Sequence, residues 1–354
     1  MNYRLPFAMV LAIAGALFTG CTSQRNLSVN EPAKVPVPTS ARRIVLMDRT
    51  EPRSGFSNTF EALTSRESGL DKEQGREMNE VLREALGELG ERFDVVLAPG
   101  RYEGSGTGVL PDPLNLDTII QVCSRADADI LIALEALDAD VNYDFNERTV
   151  QEIVNGYPTS APRVEVRAQR KTTVRYGWRV YDRRGRTILD MFTDRSTSNQ
   201  EGIGSTKQNA KDGLPAKRGV VDGLGRAAAR SYARRFAPTS SFVKRTFYSG
   251  GDRRLRSAYK LSRRNNWEGA IHVWESMLTD PKAKLRGKAC FNIAVAYEAL
   301  GDLVNARVFA LRSASEFGNK WGMGYAAELD VRMKDEERAR SERELLGQGD
   351  QSAR

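Results

Sequence analysis

Histidine and cysteine are scarce in this 354-residue sequence, which contains one histidine and three cysteines. A single histidine argues against the multi-histidine sets that hold catalytic zinc, and it leaves one candidate for a Ser-His or Cys-His pair. That candidate, His272, falls within a helical pattern, so we expect it on the surface. Cys123 and Cys290 lie far apart on apolar helical stretches, which predicts two buried free thiols, because unpaired cysteine behaves as a small hydrophobe. We expect no metal site, no catalytic residue and no cofactor.

An apolar run long enough to cross a bilayer, about 20 residues, is missing from the start of the chain. Residues 5–18 form an apolar run of 14 residues that is interrupted by Pro6. One arginine precedes this run and small residues follow it, which is the layout of a signal peptide over residues 1–20. The sequence Leu-Phe-Thr-Gly-Cys that follows resembles a bacterial lipoprotein signal, which implies that Cys21 is lipidated. The alternative is an ordinary signal peptide with an incidental cysteine.

A lipid on Cys21 predicts a membrane-anchored protein of the cell envelope. The anchor is followed by Thr-Ser-Gln-Arg and by no acidic run. By resemblance to lipoprotein sorting signals, this predicts an outer-membrane lipoprotein that faces the periplasm. A net charge of +8 then indicates lipid headgroups, anionic polymers or acidic proteins as partners, and no nucleic acid.

Two polar segments fail to match the ligand-binding motifs that their composition suggests. Residues 100–108 are rich in glycine, but they miss the G-x-G-x-x-G spacing and no Gly-Lys-Ser/Thr follows. Three aspartates are spaced as in a calcium loop, but the required glycine and glutamate are absent; they are Asp138, Asp140 and Asp144. We therefore predict a mobile surface loop at 100–108 and a solvated strand end or loop at 136–147.

The rest of the chain divides into a tether and two domains. Residues 21–40 carry three prolines and no apolar periodicity, which predicts a semi-extended tether. Residues 41–240 are predicted to form an α/β domain with a mixed sheet, because strand and helix patterns alternate as βαβαβ before a hairpin and a helix.

A period of two from Val164 to Val180 predicts a strand with one buried and one solvated face. Arg170 and Thr172 break the period, so we expect a bend at 169–173. A hairpin turn is predicted next, with Gly185 at positive φ, and a return strand over 187–192. Residues 196–214 are predicted to be a polar loop.

Four basic residues should leave one face of this strand: Arg167, Lys171, Arg175 and Arg179. They form either a solvated surface with scattered partners or a basic patch that docks an anionic partner.

Residues 241–327 are predicted to form a repeat domain that is wholly helical after the segment FVKRTFY (242–248). They contain two related units offset by 36 residues, since Ala258 aligns with Ala294 and Ala270 with Ala306. These small residues and the sequence LGDLVNA resemble the tetratricopeptide repeat, whose period is about 34 residues. Residues 328–354 are predicted to form a charged helix that ends in a disordered tail after Gly347.

In tetratricopeptide repeats the first helix of each unit lines a concave surface, and the resemblance implies which residues do so here. The six lining residues would be Leu255, Tyr259, Arg263, Phe291, Val295 and Glu298. Such an apolar and aromatic groove suits an amphipathic or extended segment of a partner. Alternatively, these residues pack against the α/β domain or the terminal helix.

The order of several segments resembles an uncharacterised lipoprotein family of Bacteroidetes-type bacteria with C-terminal tetratricopeptide-like repeats. These segments are the lipoprotein signal, RRIVLMDRT, CSRADADILIALEAL, YGWRVYD and WEGAIHVWE. The family has no assigned activity and implies no catalytic residues. The sequence thus predicts an α+β protein, with an α/β domain before an all-α domain, that acts as a non-enzymatic adaptor for envelope proteins through its helical repeats. The alternatives are a regulatory subunit of a cell-wall synthesis or secretion machine, and an enzyme whose acid pair forms only on folding.

Overall fold

The computed structural model describes residues 22–52 and 68–347. These residues form two compact units, which we call the sheet unit (residues 33–52, 68–238 and 342–347) and the helical unit (residues 22–32 and 239–341). The predicted signal peptide, the lipidation site Cys21 and the predicted tail after Gly347 lie outside the described residues.

The secondary-structure elements are numbered in chain order. The strands are β1 (Thr22–Glu31), β2 (Arg43–Pro52), β3 (Asp94–Gly104), β4 (Ile130–Val150), β5 (Ile153–Val154), β6 (Tyr157–Pro158), β7 (Arg163–Asp182), β8 (Thr187–Gly204) and β9 (Thr239–Tyr248). The α-helices are α1 (Ser68–Gly87), α2 (Leu116–Arg125), α3 (Lys207–Asp212), α4 (Lys217–Ala233), α5 (Arg253–Arg263), α6 (Trp267–Glu275), α7 (Ala283–Ala299), α8 (Leu303–Ser315) and α9 (Gly322–Leu345).

The sheet unit is built on a five-stranded sheet in the order β3-β2-β4-β7-β8. β2 pairs in parallel with β3 and β4, whereas β4 pairs with β7, and β7 with β8, in antiparallel fashion. The predicted mixed sheet is therefore confirmed. Helices α1 and α4 cover one face, where Trp178 stacks on Tyr232 at a centroid distance of 4.4 Å. Helix α2 covers the other face through a smaller core that contains Cys123.

Three predictions about β7, β8 and the turn between them are wrong. β7 is one continuous strand of 20 residues with no bend at 169–173, because both neighbouring strands pair with it through that region. β8 continues through the predicted polar loop to Gly204. At the hairpin turn between them, the positive φ of 52° belongs to Arg186. A Cβ at Gly185 would crowd a carboxylate oxygen of Asp182, so the Asp182 side chain would have to shift.

The predicted tether over residues 21–40 is wrong for the described residues. β1 pairs with β9 in antiparallel fashion over its whole length, and Leu27 is buried in the core of the helical unit. Further along, Val35 is 1% exposed in the sheet unit and its N–H donates to the carbonyl of Arg235. The described residues after Tyr248 form only helices and turns, as predicted, but their unit also includes the β1–β9 ribbon and is therefore not all-α.

The helices of the helical unit form two hairpins, α5–α6 and α7–α8, followed by α9. Asn266 and Asp302 cap the second helix of each hairpin by accepting a backbone N–H. Gly301, at a φ of 82°, makes the turn between α7 and α8. His272 is exposed on α6, and Cys123 and Cys290 are buried free thiols, as predicted. The predicted charged helix begins earlier than residue 328, and Tyr325 and Leu329 on it join the core.

Candidate functional site

A three-stranded arm carries the candidate site. We use this name for residues 138–150 of β4, 163–175 of β7 and 193–204 of β8. In this part of the sheet β2 no longer pairs with β4, so the described strands are only these three. Helix α3 packs on one face of the arm, against Val166 and Ala168. The opposite face carries the odd-numbered residues of β7, and we call it the outer face.

The outer face of the arm contains a concavity of about 570 Å³. Its walls are six polar side chains in two cross-strand rows: Asn142, Lys171 and Asn199 in one row, and Asp144, Gln169 and Glu201 in the other. Its floor is the backbone between these rows, which includes Arg170. The Arg170 side chain points to the other face, where it donates to Gln200 Oε1 (3.0 Å) and to the Pro215 carbonyl (2.8 Å).

Most of the polar side chains around this concavity form no hydrogen bond or ion pair within the described part of the chain. Among the residues that the structure describes, the amides of Asn142, Gln169 and Asn199 bond no other group, and the Lys171 ammonium has no ion pair. All four side chains are exposed. Because the strands hold the backbone of these residues at fixed cross-strand spacings, the site offers donors and acceptors at set positions to a polar ligand.

The predicted basic patch is neutralised by acidic neighbours. Arg167 bonds Glu201 at 2.8 Å. Arg175 bonds Asp138 at 2.8 Å and also bonds Asp140. Hydrogen bonding to Asp140, with attraction to Asp138, raises the pKa of the Arg175 guanidinium. Arg167 and Arg175 are therefore partly exposed but ion-paired, whereas Lys171 is exposed and has no ion pair among the described residues.

Arg179 contradicts the predicted basic patch because its side chain is only 4% exposed. It bonds Glu135, a fully buried carboxylate that also accepts from Arg49 (2.9 Å) and from the Tyr181 hydroxyl (2.8 Å). Burial raises the pKa of Tyr181, so the phenol stays protonated as a donor. The two guanidinium groups also donate to the carbonyls of Pro111 and Asp112. These bonds hold Pro111 and Asp112, which follow β3, in place. The mobile loop predicted at 100–108 is wrong for residues 100–104, because they belong to β3.

The predicted groove of the helical unit is filled by the chain itself. Phe247 of β9 is fully buried, with its ring 6.1 Å from Tyr259, 6.0 Å from Trp267 and 6.2 Å from Trp274. Tyr248 of β9 packs against Phe291 at 5.6 Å. Of the six predicted lining residues, four are buried and Tyr259 is partly buried; the buried ones are Leu255, Phe291, Val295 and Glu298. Arg263 remains exposed. The prediction of an open groove is wrong.

The bonds of the buried Glu298 carboxylate oppose opening of the groove. Its carboxylate accepts from Arg245 of β9 at 2.6 and 2.8 Å and from the Tyr325 hydroxyl of α9 at 2.6 Å. Burial and the nearby carboxylate raise the pKa of Tyr325 well above its usual range. Removing β9 would leave the buried Glu298 carboxylate without its main counter-charge.

Comparison with protein families gives two matches. Residues 41–248 match the model described as Domain of unknown function (DUF8603), and residues 256–343 match Domain of unknown function (DUF6340). The first match covers more than half of the chain. The chain belongs to the DUF8603 family. The DUF8603 region contains the whole arm and ends at Tyr248, the last residue of β9.

Other comparisons add little to the DUF8603 assignment. Two solved structures of PelC dodecamers from Paraburkholderia phytofirmans align at a TM-score of 0.24, with 11% and 12% identity, over 60% of this chain and 97% and 98% of theirs. A likeness at this TM-score supports no inference. No curated protein matches the DUF8603 chain. None of the helices in its described residues is long and apolar enough to span a membrane.

Sequence patterns singled out two wall residues of the concavity, Lys171 as a basic residue and Asp144 in a predicted solvated strand end or loop, and missed the other four. The sequence could have indicated Gln169, because the period of two along β7 places it on the same face as Lys171. Asn199 and Glu201 lie in the segment that was predicted to be a loop, so their face could not be assigned from the sequence.

Proposed function

We propose that this protein is a non-enzymatic adaptor, anchored to the envelope membrane by a lipid on Cys21, that holds a partner protein at the concavity of the arm. The anchor, its outer-membrane location and its orientation toward the periplasm rest on the lipoprotein-like signal in the sequence. The observation that carries the binding proposal is the set of unused polar groups on the outer face, at Asn142, Gln169, Lys171 and Asn199.

The chemistry of the concavity favours a polar, extended segment of a partner. Amides supply both donors and acceptors, and the site contains an ammonium group at Lys171 and a carboxylate at Asp144. Such a mixed surface gives specificity through paired hydrogen bonds and complementary charges more than through buried apolar area.

The helical unit has a supporting role in this proposal. We propose that its two hairpins are tetratricopeptide-like. The complete burial of the four aligned small residues supports this; they are Ala258, Ala270, Ala294 and Ala306. In this proposal the repeat-like unit stabilises β9 and α9, and the arm contacts the partner.

Site-specific photocrosslinking in intact cells tests the binding site. A photoreactive residue replaces Gln169, whose side chain faces the concavity from the central strand. We expect a discrete crosslinked partner, and we expect Lys171→Ala combined with Asn142→Ala to abolish the crosslink. The matched control places the same residue at Met323, which is 59% exposed on α9 of the helical unit. The proposal fails if no adduct forms at position 169, or if position 323 captures the same partner equally well.

Replacement of the anchor residue tests the other half of the proposal. Cys21→Ala removes the thiol that would accept the lipid, so acyl labelling and recovery of the mature chain with membranes should both be lost. Cys123→Ala is the control, because that thiol is buried and should not affect fractionation. Unchanged acyl labelling in Cys21→Ala would refute the anchor.

A further inference from the structure

β8 presents an open strand edge. It is an edge strand of 18 residues that pairs with β7 on one side. Within the described part of the chain, no strand pairs with its other side. Alternate backbone N–H and C=O groups of an antiparallel strand point away from its neighbour, so this edge is a template for adding another strand.

The side chains of β8 are arranged symmetrically about Thr197. Met191 is 64% exposed and Ile203 is 53% exposed, and both lie on the sheet face that carries the odd-numbered residues of β7, because they pair with Arg179 and Arg167. They are equally far from Thr197 along the strand. A second copy of β8, rotated by a half turn about Thr197, would therefore place its Ile203 opposite Met191, and its Met191 opposite Ile203.

The charges of β8 agree with the same register. Arg195 would lie opposite Asn199 of the second copy, with Glu201 as its diagonal neighbour, and Asp194 would lie opposite Gln200. No like charges meet directly. A register centred on Asp194 or Arg195 would place two like charges opposite each other, which destabilises a strand pair.

Neighbouring registers, and the other open edge of the arm, lack this complementarity. A shift of the centre to Ser196 would place Met191 opposite Glu201, and a shift to Ser198 would leave Met191 without a partner. On β4, the Lys211 ammonium of α3 lies over the rings of Tyr143 and Phe145 at 4.9 and 5.5 Å, and only Tyr143 of the two is exposed, at 42%. That edge therefore offers no comparable exposed apolar pair.

We propose that two copies of this chain associate by antiparallel pairing of their β8 strands about a two-fold axis at Thr197. The pairing extends the sheet across both copies and sets their two concavities side by side, with Asn199 and Glu201 nearest the axis. It rests on β8 alone and does not depend on the adaptor proposal.

Cysteine crosslinking of the full-length chain, purified in detergent, tests the axis. Paired Cα atoms in an antiparallel ladder are about 4.5–5.5 Å apart, within the range that a disulfide spans. Thr197→Cys should give a disulfide-linked dimer on mild oxidation. Ser198→Cys should give none, because that residue would lie opposite Ser196 of the second copy. Absence of the Thr197→Cys dimer, or an equal yield from Ser198→Cys, would overturn the proposal.

A charge exchange tests the register without cysteine chemistry. Met191→Asp and Ile203→Lys should each weaken dimerisation at least about tenfold, because a charge then faces an apolar side chain on both sides of the axis. The double variant should recover affinity, since each carboxylate then faces an ammonium group. Met323→Asp is the control and should leave the dimer intact.

Sedimentation velocity and thermal unfolding, run on all four variants, keep association separate from folding. A monomeric unmodified chain, or a dimer that is indifferent to both single substitutions, would overturn the proposal. The Gln169 crosslink to a partner should persist in Met191→Asp, so the adaptor proposal and this one can fail independently.

Discussion

The arm and the helical unit use exposed and buried groups in opposite ways. The predicted groove has aromatic rings at its lining positions, and these rings form the core beneath β9 and α9. The arm was predicted only as a basic strand, yet its outer face keeps six polar side chains around an open concavity. Aromatic residues at repeat positions therefore indicate that a segment packs on them, and in this chain the segments are its own β9 and α9.

The same contrast recurs within a single strand, β7. Arg179 is buried between Glu135 and the segment after β3, Arg175 is half-exposed beside two aspartates, and Lys171 has no ion-pair partner among the described residues. Basic residues on the same face of β7 therefore lie in different environments, because the layer that covers this face ends partway along the sheet.

Phenylalanine truncation on β9 should give the largest effect. Phe247 is fully buried among three aromatic rings, so Phe247→Ala should lower the free energy of unfolding of the helical unit by about 3–5 kcal/mol. Phe242 lies on the same strand but is 74% exposed, so Phe242→Ala should change it by less than about 0.5 kcal/mol. Chemical denaturation followed by tryptophan fluorescence measures both. Similar losses for the two variants would mean that the groove is not filled as described.

Arginine truncation on β7 should give the next effect. Arg179→Ala leaves the buried Glu135 with one guanidinium instead of two and should destabilise the sheet unit by about 3 kcal/mol. Arg175→Ala removes a half-exposed ion pair and should cost less than about 1 kcal/mol. Thermal unfolding of both variants checks the ranking. If Arg179→Ala is as mild as Arg175→Ala, the buried cluster does not hold the segment after β3 in place.

The parts of the fold that the sequence predicted are those with a strong local pattern. The buried face of β7 and the helical stripe of α4 follow periods of 2 and 3.6 residues, and both were found. β1 was missed because it has only two buried apolar residues and its partner lies more than 200 residues away. The end of β8 was missed because an edge strand exposed on the outer face needs no apolar alternation.

The candidate site could be predicted only in part for a related reason. Its walls come from three strands, and the register between them is set by pairing that no local pattern records. The burial of Arg179 depends on Glu135, which projects from an irregularity in the pairing of β4. The filling of the groove depends on β9 and α9, whose positions the repeat pattern does not specify.

The two units can be compared directly through their thiols, which should give the smallest and most local effect. Cys123 lies in the sheet unit and Cys290 in the helical unit, and burial raises the pKa of each thiol to about 11. A raised thiol pKa stabilises the folded state below the unfolded value, near 8.5–9, and this contribution is lost as the pH rises through 11. Alkylation followed by mass spectrometry should therefore be slow at both cysteines at pH 8 and fast in the unfolded chain.

Phe247→Ala should accelerate labelling of Cys290 and leave Cys123 unchanged, because only the helical unit is weakened. Equal acceleration at both thiols would show that the two units unfold as one, and the separation drawn between them would then be wrong.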